Sequence, residues 1–302
     1  MQNSIIVGVI MKKTILEEII LLEFLKNHFP NSTNNKLRKM LSEGRVLVNN
    51  EKTYKAKTIL KPKDYFELLG KSNKTPDANK IIKKLKKSSI NIIFEDDEII
   101  VVDKPSKLLS VATDRLETTT LHSKCVDYIK EFDNKAWCYI VHRLDKETSG
   151  IMLLSKSKQS KEYLQEQFAE RSVYRIYHAL VEGRPEKTRG TLNQFLVEDK
   201  NLNIKAVKPN YPNAKEAITH WEILSGNEET SLIRVMIETG RRHQIRMAMK
   251  ELGCPIVGDK IHGAETDPKG RICLHASALE FLHPASDDPV RFESPPPFAK
   301  LE

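Results

Sequence analysis

The sequence predicts an α+β protein: a mixed, largely antiparallel sheet preceded by a small α/β domain. Two observations lead to this fold class. Beyond residue 90, apolar runs typical of strands outnumber helical segments, which favours a mixed sheet over a parallel one. Before that point, a polar stretch rich in lysine is typical of a linker. We therefore predict an N-terminal domain over 12–70, a linker over 71–89 and a main domain over 90–302.

The N-terminal domain should contain two helices followed by strands. Thr14 and Glu17 match a capping box, and the apolar positions from Ile15 to Leu25 predict a helix with a broad apolar face. Turn and strand signals then predict a helix over 34–42 with Gly44 as its C-terminal cap, a strand from Val46 and a strand over 65–69.

The main domain should begin with a hairpin, since two apolar runs flank an acidic turn and Pro105 stops the pairing. The hairpin strands are predicted over 90–94 and 99–102. Later patterns predict helices over 118–132 and 158–171, strands over 175–183, 221–224, 232–237 and 274–283, and a helix opening near Arg246.

Composition narrows the class of function. A formal net charge of +8 indicates a polyanionic partner, of which nucleic acid fits best. The four cysteines form no C-x-x-C pair and the histidines lack ligand spacing, so we expect reduced thiols and no metal site. The apolar run over 5–11 is too short to span a bilayer, so we expect a cytoplasmic protein that uses no membrane.

One segment, 139–156, holds charged residues between two apolar strands. Gly150 can take the positive φ that a turn after the loop requires. Asp145 in that loop has two interpretations: a surface ion pair with Arg143 or Lys146, or a catalytic carboxylate kept ionised by guanidinium groups that lower its pKa. The local sequence does not separate them.

This loop resembles the central motif of a known family. His142-Arg-Leu-Asp-x-x-Thr-Ser-Gly150, with Lys156 eleven residues after Asp145, is similar to that of the RluA family of RNA pseudouridine synthases. Further stretches resemble the same family, namely 102–106, 168–171, 177–183, 239–246, 253–259, 274–276 and 281–284. The resemblance implies the pseudouridine synthase fold for 90–302.

The resemblance also implies a reaction, the isomerisation of uridine in RNA. The base is cut from the ribose, turned and rejoined through C5, and because nothing is oxidised or reduced no cofactor is expected. Asp145 would be the essential catalyst, acting on the sugar directly or by way of a glycal intermediate. Tyr177 would stack against the base, and Arg246 would pair with Asp145. Arg175 stands where the family commonly has Lys.

The family pattern assigns binding roles to five more residues. Arg143 would fill the space left by a flipped uridine. His142 would either contact RNA or support the loop, and Lys156 would support the loop or bind phosphate. Ile245 and Leu274 would form apolar walls of the pocket.

The N-terminal stretch 37–49 resembles the S4 RNA-binding domain, with Arg38 and Arg45 as phosphate contacts. Members with such a domain typically act on large-subunit ribosomal RNA, which we expect as the substrate of a monomeric enzyme. The stretch 103–111 also resembles members that act on transfer RNA as well. A non-catalytic RNA-binding or ribosome-assembly factor is the alternative of a different class.

Overall fold

A computed structural model describes residues 9–30, 32–69, 90–113, 115–200 and 202–299. The chain divides into two units, of which the first is Met1–Lys87 with Glu280–Phe292 and the second is Ser88–Leu279 with Glu293–Glu302. The segment 280–292, predicted as part of the main domain, thus groups with the first unit. The predicted linker over 71–89 lies outside the described residues.

Within its described residues, the first unit combines two helices with short strands. The elements are β1 (Val9–Thr14), β2 (Ile19–Ile20), α1 (Leu21–His28), α2 (Asn34–Ser42), β3 (Val46–Val48), β4 (Glu51–Lys52), β5 (Ile59–Leu60) and β6 (Tyr65–Leu69). One sheet has the order β1-β6-β3-β4, and β2 pairs with β5. The rings of Phe24 and Phe66 lie 4.8 Å apart and join the first helix to the sheet.

The predicted capping box at the start of this unit is wrong. Thr14 ends β1, which pairs with β6, and α1 begins only at Leu21 without a side-chain cap. Strand pairing over the first residues therefore outweighs the local helix signal. The second helix is confirmed, since it spans Asn34–Ser42 and is followed by Gly44 at a φ of 66°.

The other described strands are β7 (Asn91–Glu95), β8 (Ile99–Lys104), β9 (Tyr139–Ile140), β10 (Ser149–Ser155), β11 (Tyr174–Glu182), β12 (Arg189–Glu198), β13 (Ile204–Val207), β14 (Lys215–Gly226), β15 (Thr230–Ile237), β16 (Leu274–Leu282) and β17 (Pro289–Glu293). They form one large sheet of order β13-β12-β14-β15-β11-β16-β10-β8-β7, with β9 paired to β10 and β17 paired to β16. The helices are α3 (Leu121–Lys130), α4 (Lys158–Ala169) and α5 (Gln244–Glu251), with a 3₁₀ turn at Lys260–His262.

The pairing directions confirm a mixed, largely antiparallel sheet. β10 runs parallel to β16, whereas β8 with β10 and β11 with β15 are antiparallel, as are β7 with β8 and β12 with β14. The predicted hairpin is confirmed as β7 and β8. No strand was predicted at β12, β13 or β17. Most positions of β12 are exposed or half-buried, so its apolar signal in the sequence is weak.

The core of the second unit lies against the central strands. Every residue of β10 is buried, and Leu121 and Cys125 of α3 belong to the same apolar cluster as Met152. Gly150 in β10 has a φ of 113°, and a Cβ there would lie 2.2 Å from the carbonyl oxygen of Ala276 in β16. The predicted positive φ is confirmed, and glycine is required at this close approach of two strands.

Candidate active site

The loop over 141–148 joins β9 to β10 and carries Asp145. The hydroxyl of Ser110 donates to the carbonyl oxygen of Leu144 at 2.6 Å and accepts from its amide at 3.1 Å. The amide of Thr148 donates to the carbonyl oxygen of Asp145 at 3.2 Å, which closes a turn. The backbone on both sides of the carboxylate is therefore held by hydrogen bonds.

Two side chains at and just after the end of β8 hold the other half of this loop. The ammonium group of Lys104 donates to the carbonyl oxygen of Lys146 at 3.1 Å and to two carbonyls of its own segment. The hydroxyl of Ser106 donates to the carbonyl oxygen of Glu147 at 2.7 Å. Burial lowers the pKa of Lys104 to about 8. These contacts fix the loop to the sheet, so its carboxylate is aimed by rigid elements.

A cavity of about 370 Å³ opens beside the loop. The three residues predicted to be catalytic, Asp145, Tyr177 and Arg246, all line it. Four of the predicted binding residues line the same cavity, namely His142, Arg143, Ile245 and Leu274. The structure therefore brings together residues from the loop, β11, α5 and β16.

Asp145 sits in a positive environment but its pKa is raised. Burial is the largest cause, and the charges of Arg246, Arg143, Arg242 and Lys104 oppose it in that order. The sequence predicted that guanidinium groups lower this pKa. That effect exists, but the loss of water around the carboxylate outweighs it.

The predicted ion pair between Arg246 and Asp145 is replaced by another. Nε and Nη2 of Arg246 donate to the two carboxylate oxygens of Asp259, at 2.7 and 2.6 Å. Arg246 is 3% exposed and Asp259 is 0% exposed. Arg246 remains the largest of the charges that favour ionised Asp145. Asp259 has no predicted role, although it lies in the stretch 253–259 that resembles the family.

Tyr177 lies on β11 at the wall of the cavity and is buried. Burial raises the pKa of its hydroxyl, Arg175 opposes that shift and Asp145 adds to it. Among the residues that the structure describes, none forms a hydrogen bond with this hydroxyl. The neutral phenol can thus pack against a flat ligand and still donate a proton to it.

His142 supports the loop, which was one of its two predicted roles. Its ring stacks on Phe168 with centroids 4.8 Å apart, and Nε2 accepts from the amide of Leu153 at 3.1 Å. Burial lowers the pKa of His142 to about 3, so the ring is neutral at physiological pH. Arg143, by contrast, is exposed at the rim of the cavity.

Two residues predicted to bind substrate have other partners. Lys156 does not line the cavity, and its ammonium group pairs with Glu95 at the end of β7, at 3.0 Å. Arg45 is 4% exposed and donates to Asp288 at 3.0 Å, so burial and pairing withdraw it from RNA phosphates. Arg38 is exposed on α2, as a phosphate contact requires.

Within the described residues, no group of three or more His, Cys, Asp or Glu side chains is arranged to hold a metal ion. The four cysteines are buried and free of disulfides. No helix in the described parts of the chain has the length and apolar character needed to cross a membrane.

Comparison with known proteins defines the class. The family model described as RNA pseudouridylate synthase matches residues 98–251, which include the Asp145 loop, Tyr177 and Arg246. Among solved structures, "Human RNA Pseudouridylate Synthase Domain Containing 4" shares the fold with a TM-score of 0.59 and 23% identity, covering 72% of this chain and 92% of that one.

Two curated relatives narrow the class to a family. The "Ribosomal large subunit pseudouridine synthase D" of Neisseria meningitidis serogroup A is 31% identical over 89% of this chain and 73% of its own. The "Dual-specificity RNA pseudouridine synthase RluA" of Vibrio cholerae is 36% identical over 65% of this chain and 79% of its own. The chain belongs to the RluA family of RNA pseudouridine synthases, enzymes that form pseudouridine in RNA.

Proposed function

We propose that this enzyme converts specific uridines of large-subunit ribosomal RNA to pseudouridine, with Asp145 as the essential catalyst. The observation that carries the proposal is the convergence of Asp145, Tyr177 and Arg246 on one cavity beside a firmly held loop. The ribosomal substrate is supported by the name of the Neisseria relative, a ribosomal large subunit pseudouridine synthase that aligns with 89% of this chain.

The reaction begins when the target uridine flips out of its stack into the cavity. Arg143, exposed at the rim, takes the vacated place in the RNA, and Tyr177 packs against the base. The ionised carboxylate of Asp145 then acts at the sugar while the bond between C1′ and N1 breaks. The base turns, C5 bonds to C1′, and the proton on C5 is lost as N1 gains one.

The remaining residues of the cavity keep the detached base in place. Ile245 and Leu274 are buried apolar walls, which exclude water and prevent loss of free uracil. Arg246, fixed by Asp259, supplies a positive charge that favours the ionised form of Asp145. Hydrogen bonds within the protein therefore hold Arg246 and the Asp145 loop in position before the substrate binds.

We also propose that residues 12–70 form an S4-like RNA-binding domain that acts mainly on phosphates, followed by a linker and a catalytic domain. Exposed Arg38 on α2 supports that role. The enzyme would work as a cytoplasmic monomer. No cofactor is needed, because the isomerisation balances its own atoms and electrons, so EDTA should leave the rate unchanged.

Transfer RNA is the second candidate substrate. The Vibrio relative, named as a dual-specificity enzyme, is 36% identical to this chain. Both candidates use the same cavity and the same chemistry, and they differ only in the RNA that presents the uridine.

The deciding experiment maps pseudouridines in total RNA from cells with and without this gene. We expect sites in large-subunit ribosomal RNA to vanish and to return with the wild-type gene but not with Asp145→Asn. Loss confined to transfer RNA would establish the second candidate instead. If no site is lost, and the purified protein modifies neither RNA, the proposed function is wrong.

A further inference from the structure

A second buried arginine lies in the wall of the cavity. Arg175 is 7% exposed and lines the cavity together with Tyr177, which follows it by two positions on β11. Alternate residues of a strand project from the same face of the sheet. The guanidinium of Arg175 and the ring of Tyr177 are therefore neighbours on one side of the site.

The contacts of Arg175 hold it in place without neutralising it. Nη2 donates to the backbone carbonyl oxygen of Glu238 at 2.7 Å, and the guanidinium carbon lies 5.4 Å from the ring centroid of Phe168. Nε is buried and has no hydrogen-bond partner among the described residues. A Cβ on Gly240 would lie 3.0 Å from Nη1, so backbone approaches the guanidinium closely.

No carboxylate of the described residues lies within ion-pair distance of Arg175, whereas Arg246 has Asp259. Burial lowers the pKa of Arg175, and the opposing contribution comes from Tyr177. A desolvated cation without an anion is unfavourable, and buried polar groups left without partners call for an explanation. Because Arg175 lies in the wall of the cavity, a ligand that carries negative charge and binds there would explain the missing partner.

We propose that the guanidinium of Arg175 donates a hydrogen bond to a carbonyl oxygen of the target base and stabilises the negative charge that the base carries while it is detached. The inference rests on the proposed function. When the bond between C1′ and N1 breaks, its electron pair leaves with the base and spreads over N1, O2 and O4. The charge is consumed when C5 bonds to C1′.

The position of Arg175 favours the base over the RNA backbone as its ligand. Arg143 and Arg241 are exposed cations of the same cavity and are accessible to phosphates. Arg175 is instead buried beside Tyr177, the residue proposed to pack against the base. A donor in that place acts as an oxyanion hole does, being fixed before the charge develops.

The first test compares variants of the purified full-length protein on a synthetic RNA that contains a uridine identified by the mapping experiment. Arg175→Met should lower the single-turnover rate at saturating enzyme by roughly 100-fold, the usual effect of losing one such donor. The RNA dissociation constant should change less than about threefold, and Arg175→Lys should recover part of the rate. Arg234→Met, on a half-buried arginine that pairs with Glu222 outside the cavity, is the control.

The second test replaces one oxygen of the base by sulfur, a weaker acceptor, using 2-thiouridine and 4-thiouridine at the target position. If Arg175 donates to that atom, the substitution slows the wild-type enzyme but has little further effect on Arg175→Met. Equal penalties in both enzymes for both bases would overturn the inference. So would weaker RNA binding at an unchanged rate, which is the result for a phosphate contact.

If the wild-type enzyme forms no pseudouridine, the proposed function is wrong, whereas an active wild type together with a fully active Arg175→Met contradicts only the proposed role of Arg175. Circular dichroism and a thermal melt check that each variant folds. Should Arg175→Met not fold, the sulfur substitutions are compared between the wild type and Arg175→Lys.

Discussion

The two walls of the cavity hold buried arginines in opposite electrostatic situations. Arg246 on α5 is 3% exposed and makes two hydrogen bonds to Asp259, whereas Arg175 on β11 is 7% exposed and faces no carboxylate among the described residues. Equal burial therefore does not mean an equal role. The paired arginine is a fixed part of the scaffold, and the unpaired one retains N–H groups for a ligand.

The first unit repeats the paired arrangement. Arg45 is buried and donates to Asp288 and to the backbone carbonyl oxygen of Leu69, so its hydrogen bonds are made within the protein. Arg38 is exposed. The accessible arginine, not the paired one, is the candidate for RNA contact. In both units, an arginine that pairs with a buried aspartate supports the structure, whereas an arginine without such a partner is the candidate for binding a ligand.

The largest effect should follow from removing the carboxylate that both walls serve. We expect Asp145→Asn to lower the single-turnover rate of pseudouridine formation by at least about 1000-fold, because Asp145 is the proposed essential catalyst and an amide cannot act as a carboxylate. RNA affinity, measured by filter binding, should stay within a few-fold, since the phosphate contacts are unchanged. Residual activity within tenfold of the wild type would contradict the assignment.

Removing the buried ion pair between Arg246 and Asp259 should lower the stability of the fold as well as the activity. Asp259→Asn leaves the buried guanidinium of Arg246 without its anion, which typically costs about 3–5 kcal/mol. Urea unfolding measures the loss. The control is Glu222→Gln, which removes the partner of Arg234 at a more exposed pair and should cost at most about 1 kcal/mol. Equal losses in the two variants would show that burial does not distinguish the pairs.

The sequence predicted those parts of the fold that depend on local signals. The helix over Asn34–Ser42 has its cap residues in place, and β7 and β8 follow strong apolar runs. The start of the chain could not be predicted in this way, because β1 exists through pairing with β6 at the far end of the unit. A capping box is a weak preference that such pairing overrides.

The site was predicted as a set of residues but not as a set of partners. The family resemblance predicted that Asp145, Tyr177 and Arg246 belong to one site, and all three line the cavity. It did not indicate that Arg246 pairs with Asp259, or that Lys104 and Ser110 hold the loop. Hydrogen-bond partners depend on distances of a few tenths of an ångström, which spacing along the chain does not encode.

The next largest effect is expected where Gly150 of β10, just after the Asp145 loop, closely approaches Ala276 of β16. Gly150→Ala places a Cβ 2.2 Å from the carbonyl oxygen of Ala276, so we expect a loss of at least about 2 kcal/mol together with reduced activity. Gly253→Ala is the matched control, since Gly253 also has a positive φ of 72° but no described residue places an atom within 4 Å of the added Cβ. It should cost about 1 kcal/mol. Similar melting temperatures for both variants would contradict the packing argument.

A smaller effect is expected from the accessible arginine of the first unit. Arg38→Ala should weaken RNA binding a few-fold and reduce the slope of log affinity against log salt by about one. Arg38→Lys keeps the charge and should restore the slope. An unchanged slope for Arg38→Ala would remove the support that this residue gives to the S4-like assignment.

The smallest effect concerns the folded protein's stability, which ionised Asp145 lowers at neutral pH because the carboxylate is buried. Its pKa is raised in the folded state, chiefly by burial, so folding favours the protonated carboxyl. The stability linked to this group is therefore full below the unfolded pKa of about 3.9 and is lost as pH rises through the folded pKa. Asparagine does not ionise, so Asp145→Asn should melt at a higher temperature than the wild type at pH 7.

The pH dependence of that difference supplies the check. The gap between Asp145→Asn and the wild type should close as the pH falls through the folded pKa of Asp145, since both side chains are then uncharged. Glu182→Gln should behave oppositely: although burial opposes it, hydrogen bonds from Thr266 and Glu265 lower the pKa of Glu182. Its stabilising effect exists above the unfolded pKa, so this variant should melt lower at pH 7. A wild type that is more stable than Asp145→Asn at pH 7 would mean that the surrounding arginines, and not burial, determine the direction in which the pKa of Asp145 shifts.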